Sequence, residues 1–174
     1  MRAALSWIFA TLMLSVIIHI ITIHTIPYAV MHRAMSRMSE NAGGVNKPSF
    51  PPAPTATSRG VVRPSPDLLY VACVYDVDKN PVRFTGLVPD GYWSLSFFAD
   101  NSDNFYAIDD RKLPSKSVDV LLASEDQEVQ PHPGETLVIS PSDKGVALFR
   151  FLVTGPAARE AMDKLRHQSG CAPA

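Results

Sequence analysis

Residues 68–98 read LLYVACVY-DVDKN-PVRFTGLV-PDG-YWSLSFF: three apolar runs of strand length, separated by two clusters of turn formers. In the third run Trp93, Leu95 and Phe97 fall on one side of an extended chain and Ser94 and Ser96 on the other, because successive side chains of a strand alternate. The first run is apolar on both faces, the pattern of a central strand covered twice. Further runs follow at 104–108, 118–123, 136–139 and 146–153, with turn formers at 100–103 and 131–134. In the last run Ala147, Phe149, Phe151 and Val153 form the inward set and Arg150 points away. The spacers leave no room for crossover helices, so the expected fold is mainly β, an antiparallel β-sandwich or barrel. A short helix is expected over 156–167, started by Pro156 and stopped near Gly170, with Ala157, Ala161 and Leu165 facing the sheet.

Upstream the composition changes. Residues 41–66 hold six prolines and three glycines. A segment of that kind buries too little apolar surface to order itself and favours extended polyproline geometry. It reads as a tether that lifts the β-rich head off whatever anchors it. From Ala3 to Met31 there is no Asp, Glu, Lys or Arg, and residues 3–26 are almost wholly apolar. As a helix those residues reach roughly 36 Å, enough to cross a hydrocarbon core of about 30 Å. A cleaved signal would carry a much shorter apolar region, so an uncleaved anchor is expected, with Trp7 and Tyr28 near its interfaces. The expected organisation is therefore a transmembrane anchor at 1–32, a juxtamembrane segment and Pro-rich linker at 33–66, and a β-rich globular domain at 67–174.

The net charge of -1 conceals an asymmetry: residues 1–63 carry six basic side chains and one acid, so every remaining acid of the 17 lies in 64–174. An acidic head argues against nucleic acid as its partner, because phosphate neutralisation needs a basic face. The positive charges flanking the anchor nearly tie and slightly favour a cytoplasmic head.

The span holds two histidines, His19 and His24, which lie about 140° apart on a helix and so cannot serve one ion from one face. Ionisable groups inside a membrane are functional candidates, and His19 with Thr22 suits contact with a neighbouring helix. In the head, Asp100 to Asn104 lacks the glycine and glutamate of an EF-hand loop and reads as turn capping. Asp109 and Asp110 are adjacent in extended chain, so their carboxylates point apart. No G-x-S-x-G, H-E-x-x-H or glycine-rich phosphate loop occurs, and neither a catalytic residue nor a metal ligand nor a cofactor is expected. Cys73 and Cys171 either pair as a disulfide, given an oxidising compartment, or leave Cys73 as a buried thiol; the disulfide is the more economical reading. Tyr70, Tyr92 and Tyr106 carry polar tips that could line the mouth of a small-molecule pocket.

The order and spacing of Pro66-Asp67-Leu68-Leu69-Tyr70, Asp76, Pro81-Val82, Pro89, Gly91-Tyr92-Trp93-Ser94 and Asn104-Phe105 resemble the core pattern of the bacterial family called domain of unknown function 1254. The likeness covers about 64–155; it departs where Asn80 stands for a glycine and Trp93 for a second tyrosine. Larger members of that family fuse this domain to a second one, numbered 1214. The chain resembles the short, single-pass, alphaproteobacterial form, whose neighbour is often a separate small membrane protein of the 1214 type. The resemblance implies a β-rich fold and an envelope location, which places the head in the periplasm and the anchor in the inner membrane; it offers no catalytic residues. The expected function is accordingly that of a membrane-tethered interaction or assembly module, with the lipid bilayer and another small membrane protein as partners. The alternative is a ligand-binding or enzymatic head that uses the tyrosine-lined pocket.

Overall fold

A computed structural model describes residues 2–59, 63–113 and 116–174. Its elements in chain order are α1 (Arg2–Ala42), β1 (Pro48–Ser49), β2 (Leu68–Asp76), β3 (Val82–Leu87), β4 (Trp93–Ala99), β5 (Asn104–Asp109), β6 (Ser117–Ser124), β7 (Thr136–Ser140), β8 (Lys144–Leu152), α2 (Pro156–Arg166) and β9 (Gly170–Pro173). The strands form two sheets, one ordered β1-β2-β8-β4-β5 and the other β7-β6-β3-β9. All seven runs read from the sequence are strands; β1 and β9 are additional. The sheets do not close on themselves, so of the two expected architectures the sandwich is the one adopted.

The alternation seen in the sequence sets the two inner faces. Trp93, Leu95 and Phe97 of β4, Ala147, Phe149 and Phe151 of β8, and Val71, Cys73 and Tyr75 of β2 are all buried, and they meet Val82 and Phe84 of β3 and Val118, Val120 and Leu122 of β6 in one core. Phe84 of one sheet lies edge-on to Phe97 of the other with centroids 4.9 Å apart. Ala72 and Val74, on the opposite face of β2, are buried too, as expected of a strand covered on both sides.

Four features depart from expectation. Strand β7 runs parallel to β6, pairing Val120 with Thr136 through Ser124 with Ser140. Residues 125–135 therefore act as a crossover without forming a helix, which spacing alone did not suggest. In α2 it is not Ala157 and Ala161 that face the sheet: both are exposed, and Leu165 and the buried Arg166 take that place. The Arg166 guanidinium donates to the carbonyls of Pro51 (2.7 Å) and Tyr70 (2.8 Å) and pairs with Asp163 (2.7 Å), so a charged residue rather than an alanine stripe seats the helix.

The remaining two departures are that the juxtamembrane end of α1 and the segment read as a tether both pack onto the β-domain. Helix α1 continues without a break to Ala42, and Met31 and Ala34 are buried, Met31 against Val74 and Val146 with Met35, Met38 and Phe98 around them. Beyond it, Asn46 takes a left-handed conformation (φ 55°), one that asparagine tolerates better than most residues. Its side chain brackets Asp76, donating to the Asp76 carbonyl (2.9 Å) and accepting from the Asp76 amide (2.8 Å). Pro48 and Ser49 then pair with Cys73 and Ala72. Phe50 stacks on His167 at 4.4 Å. The chain after the helix thus lies against the domain from Asn46 to Pro51; residues 60–62 of the expected linker lie outside the described residues.

Tyr75 crosses the sheet over Gly145, its hydroxyl donating to the Phe98 carbonyl two strands away (3.1 Å) and lying 3.2 Å from the Ser140 hydroxyl. A Cβ on Gly145 would overlap both the Phe98 oxygen and the Tyr75 phenol. Gly145→Ala is therefore expected to cost about 2–3 kcal/mol by overpacking. The denaturant midpoint should fall with an unchanged slope; an unaltered midpoint would mean that both Tyr75 and the Phe98 carbonyl are free to move aside.

Candidate functional site

The outward positions of the second sheet carry a group of charges that the apolar patterning of the strands does not announce. Val82 and Phe84 point into the core, so Arg83 between them points out; Val118 and Val120 do the same for Asp119. The register pairs Arg83 with Leu121 and Thr85 with Asp119, which sets Asp119 diagonally beside Arg83. The crossover delivers Glu135 to the same place. Gly134, at φ 89°, turns the chain there, and the Glu135 amide donates to the His132 carbonyl (3.0 Å). One Glu135 carboxylate oxygen accepts from Arg83 Nε (2.6 Å) and the other from the His132 amide (2.8 Å). Asp119 Oδ1 lies 4.0 Å from the same Arg83 nitrogen, is shielded from water and has no hydrogen-bond partner among the described residues.

These surroundings split the two carboxyls. The Arg83 hydrogen bond holds Glu135 below the usual carboxylate range. Burial, and then the negative Glu135 beside it, push Asp119 above that range. Next to the pair a cavity of about 300 Å³ opens between the sheets, lined by Ile108, Leu113, Val118, Val120 and Thr136 along with Asp119. The arrangement can offer one fixed negative charge and one carboxyl able to accept or share a proton. Among the described residues no three His, Cys, Asp or Glu side chains converge as a metal cage would require.

The residues singled out from the sequence are distributed as follows. Tyr70 and Tyr92 lie on the outer face of the first sheet, where the Tyr70 hydroxyl accepts from the Ser65 amide (2.9 Å). Tyr106 is in register with Phe97 and packs on its ring at 5.9 Å, on the inner face. Strand alternation therefore sends the three tyrosines to opposite sides of one sheet, and they do not line a common pocket. Cys73 of β2 and Cys171 of β9 face each other from the two sheets, Cα atoms 6.5 Å apart and sulfurs in bonding contact. Asn101 and Asp103 bond each other across the β4–β5 turn, and Asp109 accepts from the amides of Arg111 and Lys112. His19 and Thr22 lie along one groove of the bare part of α1, which packs against none of the other described elements.

Sequence reasoning missed Arg83, Asp119, Glu135 and Arg166. The signal for the first two was present: a charge alternating with core residues in VRF and VDV. Their meeting with Glu135 depends on a parallel pairing between strands that no local pattern specifies.

Residues 45–173 match the family described as "Protein of unknown function (DUF1254)". No curated protein matches the chain. Among solved structures, the VPA0106 protein from Vibrio parahaemolyticus is similar, with a TM-score of 0.60 and 18% identity over 87% of this chain and 36% of that one. An uncharacterized protein from Burkholderia cenocepacia is similar with a TM-score of 0.50 and 18% identity over 84% of this chain and 40% of that one. At this identity the likeness is one of fold. The chain spans well under half the length of either solved protein.

Asp119→Asn is expected to stabilise the protein at about pH 7, by no more than about 1 kcal/mol because the side chain is half-exposed. The sign follows from linkage: a carboxyl whose folded value is raised destabilises only once it ionises, so the variant's advantage should vanish as pH falls below the unfolded carboxyl range, about pH 3–4. Arg83→Met should act in the opposite sense, removing a Glu135 contribution that is present at neutral pH and lost as pH falls through the folded Glu135 value. Thermal midpoints in detergent micelles across acid and neutral pH report both. A less stable Asp119→Asn at neutral pH would show that the carboxylate is held by favourable contacts instead.

Proposed function

We propose, from the premise that this chain belongs to the DUF1254 family, that it is a membrane-tethered envelope protein whose β-domain serves as an interaction or assembly module for another small membrane protein, of the 1214 type. The observation that carries this reading is the division of α1. Its apolar first part is bare along its whole length, and its last turns are packed onto the β-domain through Met31, Ala34, Met35 and Met38. A bare apolar helix of that length is stable in a bilayer and poorly so in water. The docked turns, together with the Asn46 bracket and the β1 pairing, then hold the domain against the membrane surface instead of at the end of a free tether. Ser102 supports this placement, its hydroxyl lying 3.4 Å from the Pro27 carbonyl where the apolar stretch ends.

The assembly role is supported by size. The solved proteins extend well beyond the part that this chain matches, which accounts for 36% and 40% of their chains. A domain of the same fold on a short anchor is suited to meeting such a further part as a separate molecule. The Cys73–Cys171 contact favours an oxidising compartment, hence a periplasmic head on an inner-membrane anchor.

Two measurements test this. Cys171 is buried, so topology is better read from an exposed position: Glu128→Cys should react with a membrane-impermeant maleimide in intact spheroplasts. Labelling only after lysis would place the head in the cytoplasm and defeat the envelope reading. For the assembly role, the full chain is purified in mild detergent beside a version lacking residues 2–26, which spares the docked turns. A stoichiometric second protein is expected with the full chain, and its absence from both would sink the interaction reading.

A further inference from the structure

From Met31 onward helix α1 reads MHRAMSRMSENA, and every apolar side chain in it larger than alanine is methionine. Upstream, in residues 3–26, such positions are filled mostly by leucine and isoleucine. At 100° per residue Met31, Met35 and Met38 fall within an arc of about 60°, and that arc is laid on Val74, Val146 and Phe98. Met31 and Ala34 are buried and Met35 and Met38 half-buried, while Tyr28, Ala29 and Val30 just before them are exposed. Three thioethers and one methyl group thus form the apolar seam between helix end and domain. The Ser102 hydroxyl, 3.4 Å from the Pro27 carbonyl, adds one long hydrogen bond.

The chain bends directly after this seam. Gly43 and Gly44 have φ of 73° and 135°, a region that glycine enters without the penalty of a Cβ. Two residues later the Asn46 bracket and the β1 pairing fasten the chain to the domain again. The glycine pair therefore lies between two attachments, and the methionine seam is what keeps α1 from swinging about it. Cys73 and Cys171 are engaged with each other, which leaves no free thiol. Thioether sulfur is then the most readily oxidised group of the chain.

We propose that Met35 and Met38 are sites of reversible oxidation by a peroxide, and that their sulfoxides release α1 from the β-domain about Gly43 and Gly44. Both side chains are half-buried at the rim of the seam, within reach of a molecule as small as hydrogen peroxide. A sulfur lone pair attacks one peroxide oxygen, so that an S–O bond forms as the O–O bond breaks. The proton on the attacked oxygen passes to the departing hydroxide, which leaves as water. Sulfur is oxidised by two electrons and the peroxide is reduced by two. The new polar oxygen sits where the side chains of Val74, Val146 and Phe98 offer it no donor, and burial without a hydrogen bond is unfavourable. Leucine, close to methionine in volume, would fill the seam without this sensitivity. A methionine sulfoxide reductase reverses the step and restores the seam. Such a clamp needs no partner protein; it governs whether the domain is fixed on its helix or hinged.

The full chain in detergent micelles, treated with hydrogen peroxide, tests this. Peptide mass spectrometry should find one added oxygen on Met35 and on Met38. Brief trypsin treatment of the oxidised chain should cut after Arg37 at least about fivefold faster than before, with cutting after Arg59 in the linker unchanged. Sulfoxide reductase should return the slow rate. The triple variant Met31→Leu, Met35→Leu, Met38→Leu should be cut slowly with and without peroxide, Met162 remaining as a control for oxidation elsewhere. The double variant Met35→Gln, Met38→Gln places a polar group of similar length in the seam and should be cut fast with no oxidant. Sulfoxide at Met35 and Met38 without faster cutting, or the same acceleration in the leucine variant, would overturn the clamp. So would a slowly cut glutamine variant, or a Met35 and Met38 that stay unoxidised while Met162 is oxidised.

Discussion

Four aromatic rings converge on Phe97: Phe84 at 4.9 Å, Tyr106 at 5.9 Å, Phe105 at 6.1 Å and Tyr75 at 6.5 Å. Phe84 belongs to the second sheet and the others to the first, so this contact is where the two layers become one domain. Neither layer could keep its inner face in water, given the buried Trp93, Phe149 and Phe151 beside it. A one-residue slip in β4 would turn Phe97 outward and bring Ser96 into the core, which is why the register of β4 against β8 is closely determined. The Tyr75 hydroxyl over Gly145 and the paired cysteines then fasten positions that this packing has already brought together.

The outer face of the first sheet is governed by a different constraint, the need to cover apolar residues on a strand buried on both sides. Helix α1 supplies the methionines that cover Val74 and Val146, and Arg166 donates to the carbonyls of Pro51 and Tyr70. The consequence reaches function, because covering this face with the end of the apolar helix fixes the domain at one distance and orientation relative to that helix. A domain held this way presents defined surfaces relative to the apolar helix. The acidic cluster on the second sheet, remote from α1, is then a surface feature of a positioned domain, with Arg83 limiting the repulsion between its two carboxyls.

Much of this was legible before any coordinates. The turn clusters and period-two alternation around residues 68–98 gave the strands and their inward sets, and the uncharged stretch after Arg2 gave the long helix. These are local signals: side-chain direction in a strand and apolar length in a helix depend only on near neighbours in the chain. The sites were less legible. Three tyrosines looked alike as residue types, yet the parity of their strands separates Tyr106 from Tyr70 and Tyr92. The alanine stripe in α2 looked like a packing face until a buried guanidinium, bonded to carbonyls of two distant segments, proved to be the anchor. The linker's prolines and glycines spoke for an extended tether, and composition does not reveal that Asn46 can bracket a strand end thirty residues away.

The sequence alone determined that this protein pairs an apolar helix with a β-rich domain, because both follow from periodicities that each segment carries within itself. Tertiary structure alone decided that β7 runs parallel to β6, that Arg83, Asp119 and Glu135 meet, and that the helix end docks onto the domain. Each of those depends on segments far apart in the chain, and which of them come together is settled by the packing of the whole core.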